Sequence, residues 1–539
     1  MDLAINNAWV VDFEKLDFNR LSIGIKGGLI ARISQNPIKA KEVIEADGLY
    51  LSTGLIDCHC HIESTHLTPK GFAEAVVEKG TLFAVADCHE IANVFGRKGL
   101  EFFINDAKDT EMQLKFALPS CVPATEFATS GGKIDLEDVK YFLGFDDVVS
   151  LGELMNVPGV VNRDEKFMKM IELAKRKNKR INGHAPHLDV QTLKLYKEAG
   201  VEDDHESYDY DELKQKIELG FFVFLREGSS EHSTDDAYKI IKEHPDKVAF
   251  CSDDKSVGDI LEKGHIDYNL RKAISLGINP ALALKVASFN GLKYYGLDEF
   301  LGIKKGKRAY LVLFDDKFRP KISITDGKIY KSTHKKSKPP KEFLNSIKVK
   351  TPIELPKIKH KNIAIGLENG SLITQKLSIE RQEKEFSIKD DILKLVVIER
   401  YGHNNKAACF VKGFSLKKGA MATSLAHDCH NIVAVGTSDE KIKTAILTIM
   451  EMQGGQVVVD GDKITRLALP IGGIVSNDGA KDIKESVIAL KQAAKELGCK
   501  LDDPLGMLSF LALEVIPHIK LTDKGLFDVD KFCYIEENL

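Results

Sequence analysis

Between Thr53 and Tyr295 eight short apolar runs alternate with helical stretches, and no other feature constrains the fold as strongly. The runs are STGLIDCHCH, TLFAVADCHE, KFALPSCVP, VVSLGELMN, RINGHAP, VEDDHES, FFVFLREGS and KVAFCSDD, with stretches such as GFAEAVVEKG and DEKFMKMIELAKRK between them. This βαβα order predicts a parallel sheet covered by helices. Eight such units, over a length close to the ~250 residues usual for the type, predict an α/β fold of the (β/α)8 TIM-like barrel kind. Each run ends in polar, chemically capable residues, and a barrel gathers the carboxyl ends of its strands on one face.

The flanking sequence follows other patterns. Residues 1–52 alternate apolar and polar in AWVVDF, LSIGIKGGLIARIS and EVIEADGLYLS, broken by Gly-Gly and Asp-Gly turns. The segment GIKKGKRAYLVLFDDKFRPKISITDGKIYK returns to that alternation. The expected division is therefore a discontinuous flanking β-sandwich domain from 1–52 plus 296–345, a barrel from 53–295, and a C-terminal α/β domain from 346–539. In the last, helical DEKIKTAILTIMEMQGG and DIKESVIALKQAAKELG lie among β-like LKLVVIER and NIVAVG. Residues 331–362, rich in Lys and Pro, read as an exposed linker.

With 76 basic against 80 acidic residues the formal charge is −4, so no global field draws the chain to nucleic acid or to an anionic membrane. No run of about 18 apolar residues is present, and the start MDLAINNAWVVDFEK lacks the basic-then-apolar order of a secretory signal. Nine scattered cysteines without a CxxC spacing read as free thiols. The expectation is a soluble, cytoplasmic protein without nucleic-acid or membrane partners, whose Lys-rich surfaces and apolar helices would permit a homodimer.

In STGLIDCHCHIEST, His59 and His61 alternate with Cys58 and Cys60, so both imidazoles face one way at a strand end while the thiols turn to the packing layer. Such a pair can grip a divalent cation. Glu153 in SLGELMN, His184 in INGHAP, His205 in EDDHES and Asp253 in AFCSDD stand at later strand ends. Four imidazoles and two carboxylates on one barrel face make a ligand set for two divalent transition-metal ions, and Mn2+, Fe2+ and Zn2+ all accept such N and O donors. His59, His61 and Asp253 are expected to bind one ion and His184 and His205 the other, with Glu153 as the anion that bridges them. Only one of Asp253 and Asp254 can point inward; Asp253 is the nearer to the strand end. A metal-bound water with its pKa lowered to roughly 7 makes hydrolysis the natural chemistry, and Asp253 can take the hydroxide proton and pass it to a leaving nitrogen. A helix-capping role is the alternative for an Asp in SDD.

At these residues the chain resembles the amidohydrolase superfamily, and within it the adenine deaminases of bacteria and archaea. The resemblance runs through GLIDCHCHIEST, ADCHEIANVFG, SCVPATEFATSG, LGELMNVPGV, NGHAP, DDHES, LREGS and SDDKSVGDILEKGHIDY, and through ERYGHNNKAACFVKGFSLKKGA, AHDCHNIVAVG and LPIGGIVS near the C-terminus. It implies hydrolytic removal of ammonia from adenine to give hypoxanthine, a step of purine salvage, at a two-metal site usually associated with manganese or iron. It also implies that Glu153 stands where many relatives carry a carboxylated lysine. Ala309-Tyr310 in GKRAYLVLFD departs from the Ala-Asp-Leu usual before the returning strand, which weakens the sandwich assignment. The second zinc-deaminase type pairs an HxE motif with PCxxC; His61-Ile62-Glu63 supplies the first half only.

Attack on C6 of a purine needs a proton delivered to the ring and stabilisation of the charge that develops. Asp87 and Glu90 in ADCHEIAN are candidate acids, and His89 a substrate contact. Arg226 and Glu227 in FFVFLREGSS follow a strongly apolar run and are expected to project toward the site, where Arg226 binds the purine, orients a carboxylate, or forms a structural ion pair. Ser120 and Glu126 sit on a Gly-ended loop that could cover the pocket. In AHDCHN, His427, Asp428 and His430 offer a lid that closes on substrate, or a hydrogen-bond network within their own domain; for a separate metal site they have too few partners in the sequence. The alternative function is a metal-dependent hydrolase of a cyclic amide or N-acyl amino acid, since an activated hydroxide attacks a carbonyl carbon equally well.

Overall fold

The eight apolar runs form eight parallel strands in the computed structural model, which describes residues 1–382 and 384–536. They are β1 (Leu55–Cys60), β2 (Thr81–Asp87), β3 (Gln113–Leu118), β4 (Val148–Leu151), β5 (Arg180–Ile181), β6 (Asp203–Asp204), β7 (Phe222–Arg226) and β8 (Val248–Cys251). β1 to β5 make one curled parallel sheet in chain order, and β6 to β8 a second. Backbone hydrogen bonds link the two at both seams. The Glu202 amide donates to the Ile181 carbonyl (2.9 Å), and the Asp253 amide to the His59 carbonyl (2.9 Å). This is a TIM-barrel type of fold.

β5 and β6 are only two residues long because polar side chains take over there from the sheet ladder: Asp203 accepts from the Gly183 amide (3.0 Å) and from Asn182 (2.6 Å). The intervening helices Glu165–Arg176, Val190–Ala199 and Tyr210–Glu218 begin at Asp164, Asp189 and Asp209, whose carboxylates accept from first-turn amides; each such cap is worth about 1 kcal/mol.

The N-terminal strands and the returning chain join one sheet. Leu311–Phe314 runs antiparallel to Tyr50–Thr53, in register Leu311 to Thr53, despite the unusual Ala309-Tyr310 before it. Eight strands belong to this sheet. Its apolar side chains, among them Ile5, Ile23, Leu51, Leu313 and Ile324, gather in one core.

The chain divides into two compact units. The first comprises 1–88, 103–120 and 135–337; the second comprises 89–102, 121–134 and 338–539. Two excursions from the predicted barrel thus belong to the second unit. Gly131 explains one of them: its amide donates to the Asn93 carbonyl (2.9 Å), and a Cβ there would lie 2.3 Å from the Tyr401 ring. The expected exposed linker is also partly buried. Ser337 donates to Asp106 (2.6 Å), and Phe343 stacks on Phe95 with ring centroids 3.9 Å apart.

The second unit is built on a mixed eight-stranded sheet with Leu393–Ile398 and Ile432–Gly436 near its middle. Helix Asp439–Met452 packs on it. Ser438 caps its first turn, and Ile442, Ala445, Ile446 and Ile449 are buried on one face, the i, i+3, i+4, i+7 spacing of an amphipathic helix. A three-stranded antiparallel sheet, Ile519–Thr522, Gly525–Asp528 and Cys533–Tyr534, follows. No helix among the described residues is long and apolar enough to cross a membrane.

Candidate metal centre

Strand alternation delivers the first two donors. His59 lies on β1 and His61 one residue beyond it, both buried, while Cys58 packs so close to Gly291 that a Cβ there would lie 2.4 Å from its sulfur. The His61 Nδ1 donates to the Asp87 carbonyl at the end of β2 (2.9 Å), which fixes the ring's orientation. Nε2 faces Asp253 Oδ1 at 3.1 Å and Glu153 Oε1 at 3.5 Å. His59 Nε2 lies 3.4 Å from the same Asp253 oxygen.

Glu153, two residues past β4, stands between the two groups of imidazoles. Its Oε1 faces His61, and its Oε2 lies 2.7 Å from His184 Nδ1 and 3.5 Å from His205 Nε2. Three features fix it. Ser120 donates to its carbonyl (2.7 Å), its own amide donates to Asp87 Oδ2 (3.2 Å), and Gly152 lets that carboxylate come close, since a Cβ there would sit 2.1 Å from Asp87 Oδ2. Ser120 and Asp87 therefore act on Glu153 and its backbone. His59 and His205 stack with ring centroids 3.9 Å apart.

Burial opposes ionisation of Glu153, but the hydrogen bond from His184 and the neighbouring imidazoles of His205 and His59 outweigh it and hold the carboxyl well below its usual range. Burial likewise opposes the Asp253 charge, and the Arg226 guanidinium with His59 and His61 more than offsets it. His59 is pushed down, mainly by desolvation, toward its neutral form. Burial opposes the charge on His61, His184 and His205, but the carboxylates they face outweigh it and push these three up; the carboxylates are held ionised, as metal ligation requires.

The residues fit a pair of divalent cations. His59 Nε2 and both ring nitrogens of His205 are buried without a hydrogen-bond partner, which costs about 1–3 kcal/mol per group unless something else satisfies them. His59, His61 and Asp253 place donor atoms within 4.8 Å of one another, as do His59, Glu153 and His205, and as do His184, His205 and Glu206. Glu206 escaped the sequence reading. Its Oε1 is 3.3 Å from His205 Nε2 and 3.8 Å from His184 Nδ1, and the only signal was its place directly after His205, just past β6.

Of the aspartates after β8, Asp253 enters the cluster and Asp254 bonds Ser64 instead. Arg226 bonds Asp253 Oδ2 (2.7 Å), Glu206 (2.6 Å) and the Tyr208 hydroxyl (2.8 Å). Of the expected roles for Arg226, these contacts match both a carboxylate-orienting group and a structural ion pair. Glu227 does not join the cluster: alternation turns it the other way, where it accepts from Tyr238 (2.8 Å) and Lys272 (2.6 Å). Glu126 offers its backbone carbonyl to Lys524 (2.8 Å). In the second unit, Glu90 accepts from His427 and His430, with His89 and Asp428 beside it. His427, Asp428 and His430 thus meet donors of the 89–90 segment.

A carboxylate set between two groups of imidazoles at the mouth of a parallel barrel defines a metal-dependent hydrolase of the amidohydrolase type, and residues 50–351 match the Amidohydrolase family. Residues 371–533 match the Adenine deaminase C-terminal domain. Similar curated proteins named adenine deaminase come from Methanosarcina barkeri, 38% identical with 90% of this chain and 92% of that one covered, and Desulfatibacillum aliphaticivorans, 35% identical with 99% and 96% covered. A third, from Lysinibacillus sphaericus, is 36% identical with 99% and 96% covered. The chain belongs to the adenine deaminase family.

Proposed function

We propose that the chain hydrolyses adenine to hypoxanthine and ammonia, with attack at C6 of the purine, as a step of purine salvage in the cytoplasm. Glu153 between His61 on one side and His184 and His205 on the other is the observation that supports this most directly. The adenine deaminase name carried by relatives that match nearly the whole chain supports the substrate. The same relatives do not favour the cyclic-amide alternative. Free cysteines throughout the described chain suit a reducing compartment.

His59, His61 and Asp253 would hold one divalent ion and His184 and His205 a second, with Glu153 shared; Mn2+, Fe2+ and Zn2+ all accept these donors, and the family resemblance favours Mn2+. Bound there, the ions would supply a water acidic enough to attack at neutral pH. Asp253 Oδ1 would take the proton of the attacking water and pass it to the departing amino group, with Arg226 holding Oδ2 and keeping the carboxylate aimed. Glu206, tied to the same guanidinium, faces His184 and His205.

Purified protein loaded with Mn2+ should release ammonia from adenine and form hypoxanthine in equal amounts, and should leave hydantoin and dihydroorotate intact. Ring opening of either cyclic amide without ammonia release from adenine would overturn the assignment.

A further inference from the structure

The second unit contains a buried donor cluster outside the ligand set His59, His61, Glu153, His184, His205 and Asp253. His89 and Glu90 open the short helix His89–Phe95, and His427, Asp428 and His430 follow strand Ala420–Thr423. In sequence AHDCHN is short of partners, and the fold supplies them from more than 300 positions away. His89 Nε2 lies 3.9 Å from Glu90 Oε1 and 4.0 Å from Asp428 Oδ1. One donor atom from each of His89, Glu90 and Asp428 falls within 4.8 Å of the other two.

Glu90 is firmly placed. Its Oε1 accepts from His427 Nδ1 and its Oε2 from His430 Nε2. Both carboxylates are buried, Glu90 at 3% exposed and Asp428 at 8%.

We propose that His89, Glu90 and Asp428 bind one divalent transition-metal ion, additional to those of the barrel site, with His427 and His430 orienting Glu90. One imidazole and two carboxylates select a borderline cation such as Mn2+, Fe2+ or Zn2+. The imidazoles that grip Glu90 are the outer hydrogen-bonding groups by which metal-ligating carboxylates are commonly held. The inference stands whether or not adenine is the substrate.

The full-length protein, loaded with Mn2+ and freed of excess ion, should contain three equivalents per chain. Glu90→Gln and Asp428→Asn should each contain two, with far-UV circular dichroism and melting confirming that the variants fold. Because a variant can fail to fold, the deciding measurement uses the wild type. Anomalous diffraction at the manganese edge should show a peak about 2.0–2.3 Å from His89 Nε2 and from an oxygen of Asp428. A wild type with two equivalents and no such peak would overturn the proposal, as would a folded Glu90→Gln that keeps three. Adenine turnover measured on the same sample separates the claims. Turnover with two ions rejects only the third site, and three ions without turnover reject only the substrate assignment.

Discussion

Arg226 shows how much one side chain can set. Its Nη1 bonds both Asp253 and Glu206 while Nη2 bonds the Tyr208 hydroxyl, a planar fork that a lysine ammonium cannot reproduce. Arg226→Lys should therefore lower kcat by about 10–100-fold with ions retained, and steady-state kinetics beside metal analysis checks it; unchanged kcat would remove Arg226 from the account. Gly152→Ala would place a methyl group against Asp87 Oδ2 and the Leu118 carbonyl. A loss of about 1–3 kcal/mol in denaturant unfolding is expected, and wild-type stability would mean the strand end is looser than drawn. His59, His61, Glu153, His184, His205 and Asp253 were legible in the sequence because strands of a parallel barrel release their polar ends on one face. Glu206 was not, because β6 is two residues long and offers no alternation to extrapolate. Glu227 misled for the opposite reason, since it continues a long strand and alternation sends it outward after Arg226.

At the scale of elements, the turn after β6 hangs on a fully buried ion pair. Lys216 Nζ bonds Asp204 Oδ2 and the Ala185 carbonyl, each at 2.8 Å, and Asp204 accepts from the amides of Ala185 (2.9 Å) and Glu206 (3.0 Å). Lys216→Met should cost about 3 kcal/mol by stranding that carboxylate, read as a lower unfolding midpoint; a neutral effect would show that hydrogen bonds alone satisfy Asp204. In the second unit Lys520 is fully buried on strand Ile519–Thr522, donates to the Leu372 carbonyl (3.0 Å), and is pushed down to about 7 by burial. Its unfolded value is about 10.4, so between about pH 7 and 10 the unfolded chain binds more protons and stability rises with pH; below pH 7 the full penalty applies. Lys520→Met should flatten that rise and stabilise the protein at pH 6 by on the order of 3 kcal/mol. An unaltered pH profile would place a counter-charge at the ammonium.

Across the whole molecule, periodicity revealed the barrel strands and the pairing of the returning chain with the N-terminal sheet, because both are local patterns repeated in order. It did not reveal that 89–102 and 121–134 leave the first unit. Those stretches read as ordinary loop and helix between barrel strands, and only partners such as Tyr401, Asp523 and Glu514, hundreds of positions later, give them their place. The cluster around Glu90 was hidden for the same reason. The proposed reaction depends on imidazoles and carboxylates from separate barrel strands holding ions that make water reactive toward adenine. The most direct test strips the purified protein with a chelator, returns Mn2+ in steps, and follows ammonia release from adenine against bound metal. The account predicts negligible turnover in the stripped protein and recovery that tracks filling of the barrel site, abolished in a folded Glu153→Gln. Full turnover by protein shown to be free of metal would contradict it.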